Sequence, residues 1–72
     1  MTLNNKEKQI LLYIQEYIEN KNYSPSIREI VKAVGINSTS IISEYLDKLM
    51  SKGYLVREIN KPRTIKLLKD IT

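Results

Sequence analysis

Residues 25–42 read Pro25-Ser26-Ile27-Arg28-Glu29-Ile30-Val31-Lys32-Ala33-Val34-Gly35-Ile36-Asn37-Ser38-Thr39-Ser40-Ile41-Ile42. Ser26 and Glu29 have the spacing of a capping box, in which each side chain bonds the other's backbone N–H, so a helix is predicted to begin at Ile27. Pro25 disfavours helical geometry at Ser24 and marks the break before it. Ile27, Ile30, Val31 and Val34 recur at helical spacing and give this short helix one apolar face. Gly35 follows at once, where a left-handed residue closes a helix. Ile36 is an apolar plug for the core from the turn. Asn37–Ser40 is a cluster of capping residues, and Ser38 is the expected cap of the next helix.

Working outward, Ile42, Tyr45, Leu46 and Leu49 form a tight stripe at roughly 100° per residue, the buried face of a third helix. Gly53, after Lys52, ends it. Upstream, Asn4 and Glu7 form a second capping box. Ile10, Leu11, Ile14, Tyr17 and Ile18 then fall within about 120° of arc, a core-facing stripe. Leu12 points nearly opposite, as a lone surface leucine or as a contact with a second copy or domain. The helix is expected to end near Lys21, with Asn22 taking the left-handed closing position. Downstream, Leu55-Val56-Arg57-Glu58-Ile59 and Thr64-Ile65-Lys66-Leu67-Leu68 read as two strands, with Asn60-Lys61-Pro62-Arg63 as a turn. Helix, short helix, Gly-centred turn, helix and hairpin make a mostly α chain with a small β-hairpin. That order is a three-helix winged helix-turn-helix, expected to be one domain over residues 1–72.

Composition narrows the function. The chain has 72 residues, net charge +4 and 42% apolar residues, enough for a single thin core. It has no Cys and no His, which excludes disulfides, zinc sites built from those residues, and His or Cys catalysis. Ser and Lys are present, but no acid/base cluster or phosphate-cradling Gly-rich loop accompanies them. The expectation is therefore no enzyme, no metal and no cofactor. No apolar run is long enough to span a membrane and the first residues lack a signal peptide's apolar stretch, so a cytoplasmic protein is expected. Charge is uneven: residues 48–72 carry +5 against −1 for residues 1–47. A basic half on a small domain points to an anionic partner, nucleic acid above all.

In a helix-turn-helix the recognition helix enters the major groove by its N-terminal end. Ser40, Ile41, Ser43 and Glu44 are the residues there turned off the buried stripe. Hydroxyls donate or accept at several bases, a carboxylate accepts from the cytosine amino group, and a branched apolar group packs on a thymine methyl. Each also has an ordinary use as helix-start chemistry or helix-end charge. It is their sharing of one face above a basic hairpin that favours base contact. Ser38 and Thr39 at the helix start, Lys61 and Arg63 at the wing tip, and Lys52 and Arg57 behind them are the expected DNA-backbone contacts, with the wing-tip cations pressing on phosphates or entering an adjacent minor groove. A winged helix can also serve as a protein-interaction adaptor, in which case Leu12 or Ile41 would dock the partner.

The chain resembles the N-terminal DNA-binding domain of LexA-type SOS repressors. The resemblance rests on Tyr23-Ser24-Pro25-Ser26-Ile27-Arg28-Glu29-Ile30 with Ala33-Val34-Gly35-Ile36, on Lys52-Gly53-Tyr54-Leu55, and on Lys61-Pro62-Arg63-Thr64-Ile65. It implies a repressor binding a palindromic double-stranded operator as a homodimer, with base readers at Ser40, Ile41, Ser43 and Glu44. That segment varies within the family, so the operator sequence does not carry over. Asn22 stands where the family commonly has glycine. The family's self-cleaving peptidase half, which carries most of its dimer interface, is not among these 72 residues. The free chain is thus expected to be mostly monomeric, and damage sensing by self-cleavage is not assigned to it.

Overall fold

The three helices start and stop where backbone chemistry directs them. The computed structural model describes residues 3–69, so the domain limits expected at Met1 and Thr72 lie outside the described residues. Its elements are α1 (Asn5–Lys21), α2 (Ile27–Val34), α3 (Thr39–Ser51), β1 (Leu55–Val56) and β2 (Lys66–Leu67). Asn4 and Ser26 cap α1 and α2, each completed by the carboxylate three positions on. Ser38 caps α3, its Oγ accepting from the Ile41 N–H at 3.3 Å. Asn22 and Gly35 close α1 and α2 in the left-handed region, at φ 66° and 73°. Asn tolerates that conformation through its short polar side chain.

Apolar faces of all three helices meet the hairpin in one core of Ile10, Leu11, Ile14, Ile30, Val34, Ile42, Leu46, Leu49, Leu55 and Ile65. Tyr17, Ile18, Ile27, Val31 and Tyr45, expected on the buried stripes, lie at their margins and are only partly buried. Ile36 packs on the core from the turn, while Leu12 is exposed.

The hairpin departs from expectation. β1 and β2 are antiparallel, with Leu55 opposite Leu67 and Val56 opposite Lys66. Each has two residues where five were expected. Past Val56 the ladder gives way to side-chain bonding. The Thr64 hydroxyl accepts from the Glu58 N–H at 3.0 Å and lies 3.2 and 3.1 Å from the carbonyls of Glu58 and Lys61. Asn60 and Arg63 take positive φ, 68° and 59°, which turns the chain out of strand geometry. Ile59, read as a strand residue, is 69% exposed. The wing is stitched to the body instead: the buried Ser24 Oγ accepts from the Ile65 N–H at 3.2 Å.

Candidate nucleic-acid interface

Adjacent isoleucines fix the phase of α3. Ile42 is fully buried and Ile41 is 43% exposed. Ser40 and Glu44 share the open side with Ile41, and Thr39 is exposed at the helix start on the side of Ser43. Ser43 is half-buried at the edge of this face, and Ser38 is occupied as the cap. The outer face borders a groove of about 510 Å³ between the start of α2, α3 and the wing. Its lining includes Arg28, Thr39, Ser43, Arg57, Lys61 and Arg63. A concave channel edged by four cations suits a polyanion.

The structure distinguishes the expected backbone contacts. Lys61 is open to solvent, in a loose pair with Glu58 at 3.6 Å, which is worth little at such exposure. Arg57 is held inward. Its Nη2 donates to Ser43 Oγ at 2.9 Å and to Asp47 Oδ1 at 3.2 Å, and its Nε is buried with no partner. Ser43 thus meets the groove with its oxygen already accepting from a cation. Lys52 is also not a free charge. Its ammonium lies 2.9 and 3.0 Å from the two carboxylate oxygens of Glu7, a side chain only 2% exposed. It stands about 20 Å along the axis from the start of α3, at 1.5 Å per residue, behind the face that would meet DNA.

Arg63 was expected as a cationic fingertip, and its guanidinium instead folds back onto the body. Nη1 donates to Tyr17 Oη at 3.0 Å and to the Ser24 carbonyl at 3.2 Å, and it forms an ion pair with Glu29 Oε1 at 3.0 Å. The group also lies 5.1 Å from the Tyr23 ring centroid, within cation–π range. Tyr17 in turn donates to Glu29 Oε2 at 3.0 Å. The Ser26 N–H, with help from Arg63 and Tyr17, holds the Glu29 carboxyl down at about 2, so it stays ionised. The same contacts, Tyr17 first, push the Arg63 guanidinium up.

Sequence reasoning missed Tyr17, Tyr23, Ser24 and the second role of Glu29. Glu29 needs one oxygen for the cap, which leaves the other to accept from Tyr17. Glu7 was also read only as a cap. Its burial was visible in its phase, three, four and seven residues before Ile10, Leu11 and Ile14.

The LexA DNA binding domain family model matches residues 1–64, which takes in all three helices, β1 and the wing turn. The chain belongs to the LexA DNA-binding domain family. Among curated relatives, the LexA repressor of Ruminiclostridium cellulolyticum is 47% identical over 64 residues, covering 89% of this chain and 30% of the relative. The LexA repressor of Clostridium novyi is 47% identical over 72 residues, covering 97% and 35%. That of Lactobacillus delbrueckii subsp. bulgaricus is 41% identical over 66 residues, covering 92% and 32%. The chain spans about a third of the length of these relatives. Among the described residues, no helix of this LexA-family domain is long and apolar enough to cross a membrane.

Proposed function

We propose that this domain binds double-stranded DNA sequence-specifically and acts in a transcriptional repressor of the SOS type, on a two-fold operator. The observation that carries the reading is Ile41, a large apolar side chain left 43% exposed beside Ser40 and Glu44 on the outer face of α3. An apolar group in water gains by packing on a thymine methyl, while its hydroxyl and carboxylate neighbours supply polar readout. In this reading Ser40, Ile41, Ser43 and Glu44 meet base edges. Ser38, Thr39 and Lys61 hold phosphates, joined by the exposed Arg28 at the groove edge. Lys52 and Arg57 act through the protein rather than on the backbone.

Selection of bound duplexes from a random pool is the direct test, and a shared half-site motif repeated in inverted orientation is the expected result. Failure to retain any duplex at low salt, with capture of a protein through Ile41 or Leu12, would instead mark an adaptor. On the selected site, binding should fall with salt at a log–log slope of about −2 per monomer, for the two phosphates met by Lys61 and Arg28 at about −0.9 each. A slope near zero would remove the electrostatic part of the reading. The free domain should sediment as a monomer at micromolar concentration, since exposed Leu12 stands singly rather than in a stripe. A stable dimer abolished by Leu12→Lys would overturn that expectation and place the interface on α1.

A further inference from the structure

We infer that Arg63 is a positioning residue that sets the wing against the helical body, so that DNA affinity depends on its link to Glu29 and Tyr17 rather than on contact with a phosphate. This rests on the DNA-binding reading above.

Three observations converge. One guanidinium nitrogen reaches α1 at Tyr17, the interhelical loop at Ser24 and α2 at Glu29, all within 3.2 Å. Arg63 also sits at φ 59° without being glycine, a conformation that persists where surrounding contacts hold it. Finally, the strands are two residues long, so the ladder alone does little to fix where Lys61 and Pro62 point. Arg63 and the Ser24–Ile65 bond supply that fixation together from the C-terminal side of the turn. Closing the wing onto α2 also shapes the groove in which Arg28, Thr39 and Lys61 face one another. A phosphate contact through Nη1 would require that nitrogen to leave a carboxylate and a phenol.

The two roles predict opposite signs for a substitution that removes no cation. Glu29→Gln keeps the capping box, since glutamine serves there too, but removes a negative charge. If Arg63 served phosphates, the change would free it and reduce repulsion, and DNA would bind more tightly. With Arg63 as a clamp, the wing loosens and binding weakens by roughly tenfold, the scale of coupling within one polar network. Tyr17→Phe should weaken binding in the same direction. Arg63→Lys keeps the charge but not the planar fork, so it too should weaken binding.

The experiment measures affinity of the full chain for its selected duplex across a salt series, for these three single variants, Arg63→Ala and Glu29→Gln/Arg63→Ala. Temperature is kept where circular dichroism finds every variant folded. The expected result is weaker binding by each single variant, an unchanged salt slope for Arg63→Ala, and no further loss in the double variant. Tighter binding by Glu29→Gln overturns the inference, as does a slope reduced by about 0.9 in Arg63→Ala, the mark of one lost phosphate. Full affinity in Arg63→Lys overturns it as well. If the unsubstituted chain binds no duplex, the DNA-binding reading itself fails and the inference falls with it.

Discussion

Lys52→Met is expected to lower the melting temperature by roughly 10–20 °C at neutral pH, taking about 4–8 °C per kcal/mol for a domain of this size. The substitution leaves Glu7 buried with only its Asn4 N–H partner, at 2.9 Å. Removing one member of a buried pair costs about 3–5 kcal/mol. The Lys52 side chain is 19% exposed, so water reaches the pair and about 2–3 kcal/mol is expected here. The loss should depend on pH with a definite sign. The Asn4 N–H first, then Lys52, lowers the Glu7 carboxyl below its ordinary 4.5. Its contribution is therefore full above that value and disappears as pH falls through the lowered one. The gap between parent and variant should be widest at pH 7 and close in acid. Glu7→Gln/Lys52→Met should recover much of the loss, because glutamine still accepts the capping bond without carrying a charge. A Lys52→Met domain that melts with the parent, or a gap independent of pH, would contradict this account. So would loss of DNA affinity alone with stability intact, which would return Lys52 to the phosphate backbone.

Ile42→Ala and Ile41→Ala form the second test, because neighbours in sequence should respond in opposite currencies. Ile42 is fully buried in the core, and truncating such a side chain costs about 2–5 kcal/mol. A domain this small has a total stability of only about 4–11 kcal/mol at 0.05–0.15 kcal/mol per residue. The variant should therefore be partly unfolded at physiological temperature. Ile41→Ala should change stability by no more than about 0.5 kcal/mol. It should nonetheless relax base preference at one or two positions per half-site, each good contact being worth about 1–3 kcal/mol of discrimination. Glu44→Ala should behave likewise. Denaturant unfolding and duplex selection, run on the same proteins, separate the outcomes. If Ile41→Ala unfolds the domain and Ile42→Ala does not, the helix phase is wrong. If neither Ile41 nor Glu44 alters the selected sequence, base reading lies elsewhere.

Features governed by local chemistry could be read from the residues. Asn4, Ser26 and Ser38 cap because each needs only an N–H two or three positions away. Asn22 and Gly35 close helices through their own backbone freedom, and the phase separating Ile41 from Ile42 follows from 100° per residue. The wing was harder, because its geometry is decided by bonds that sequence spacing does not display. The Thr64 hydroxyl captures Glu58 and displaces the ladder, shortening both strands. Charge counts located the basic half of the chain without revealing its partners. Lys52 finds Glu7 across 45 residues and Arg63 finds Tyr17 across 46, separations at which only the folded backbone says who meets whom. Three of the four cations expected on DNA from their place on or behind the hairpin, Lys52, Arg57 and Arg63, have partners within the protein.

Those long separations also order events during synthesis. α1 and α2 leave the ribosome with two carboxylates, Glu7 and Glu29, whose cationic partners have not yet been translated. At about 5–20 residues per second, the 46 positions from Tyr17 to Arg63 take roughly two to nine seconds. Through that interval the helices have caps but lack the wing, and the nascent chain has α3 without the groove beside it. Translation of Arg63, Thr64 and Ile65 supplies the clamp, the turn's hydroxyl and the Ser24 bond within three consecutive codons. The contacts that tie the wing to the helices are thus acquired in one short step of this segment's synthesis.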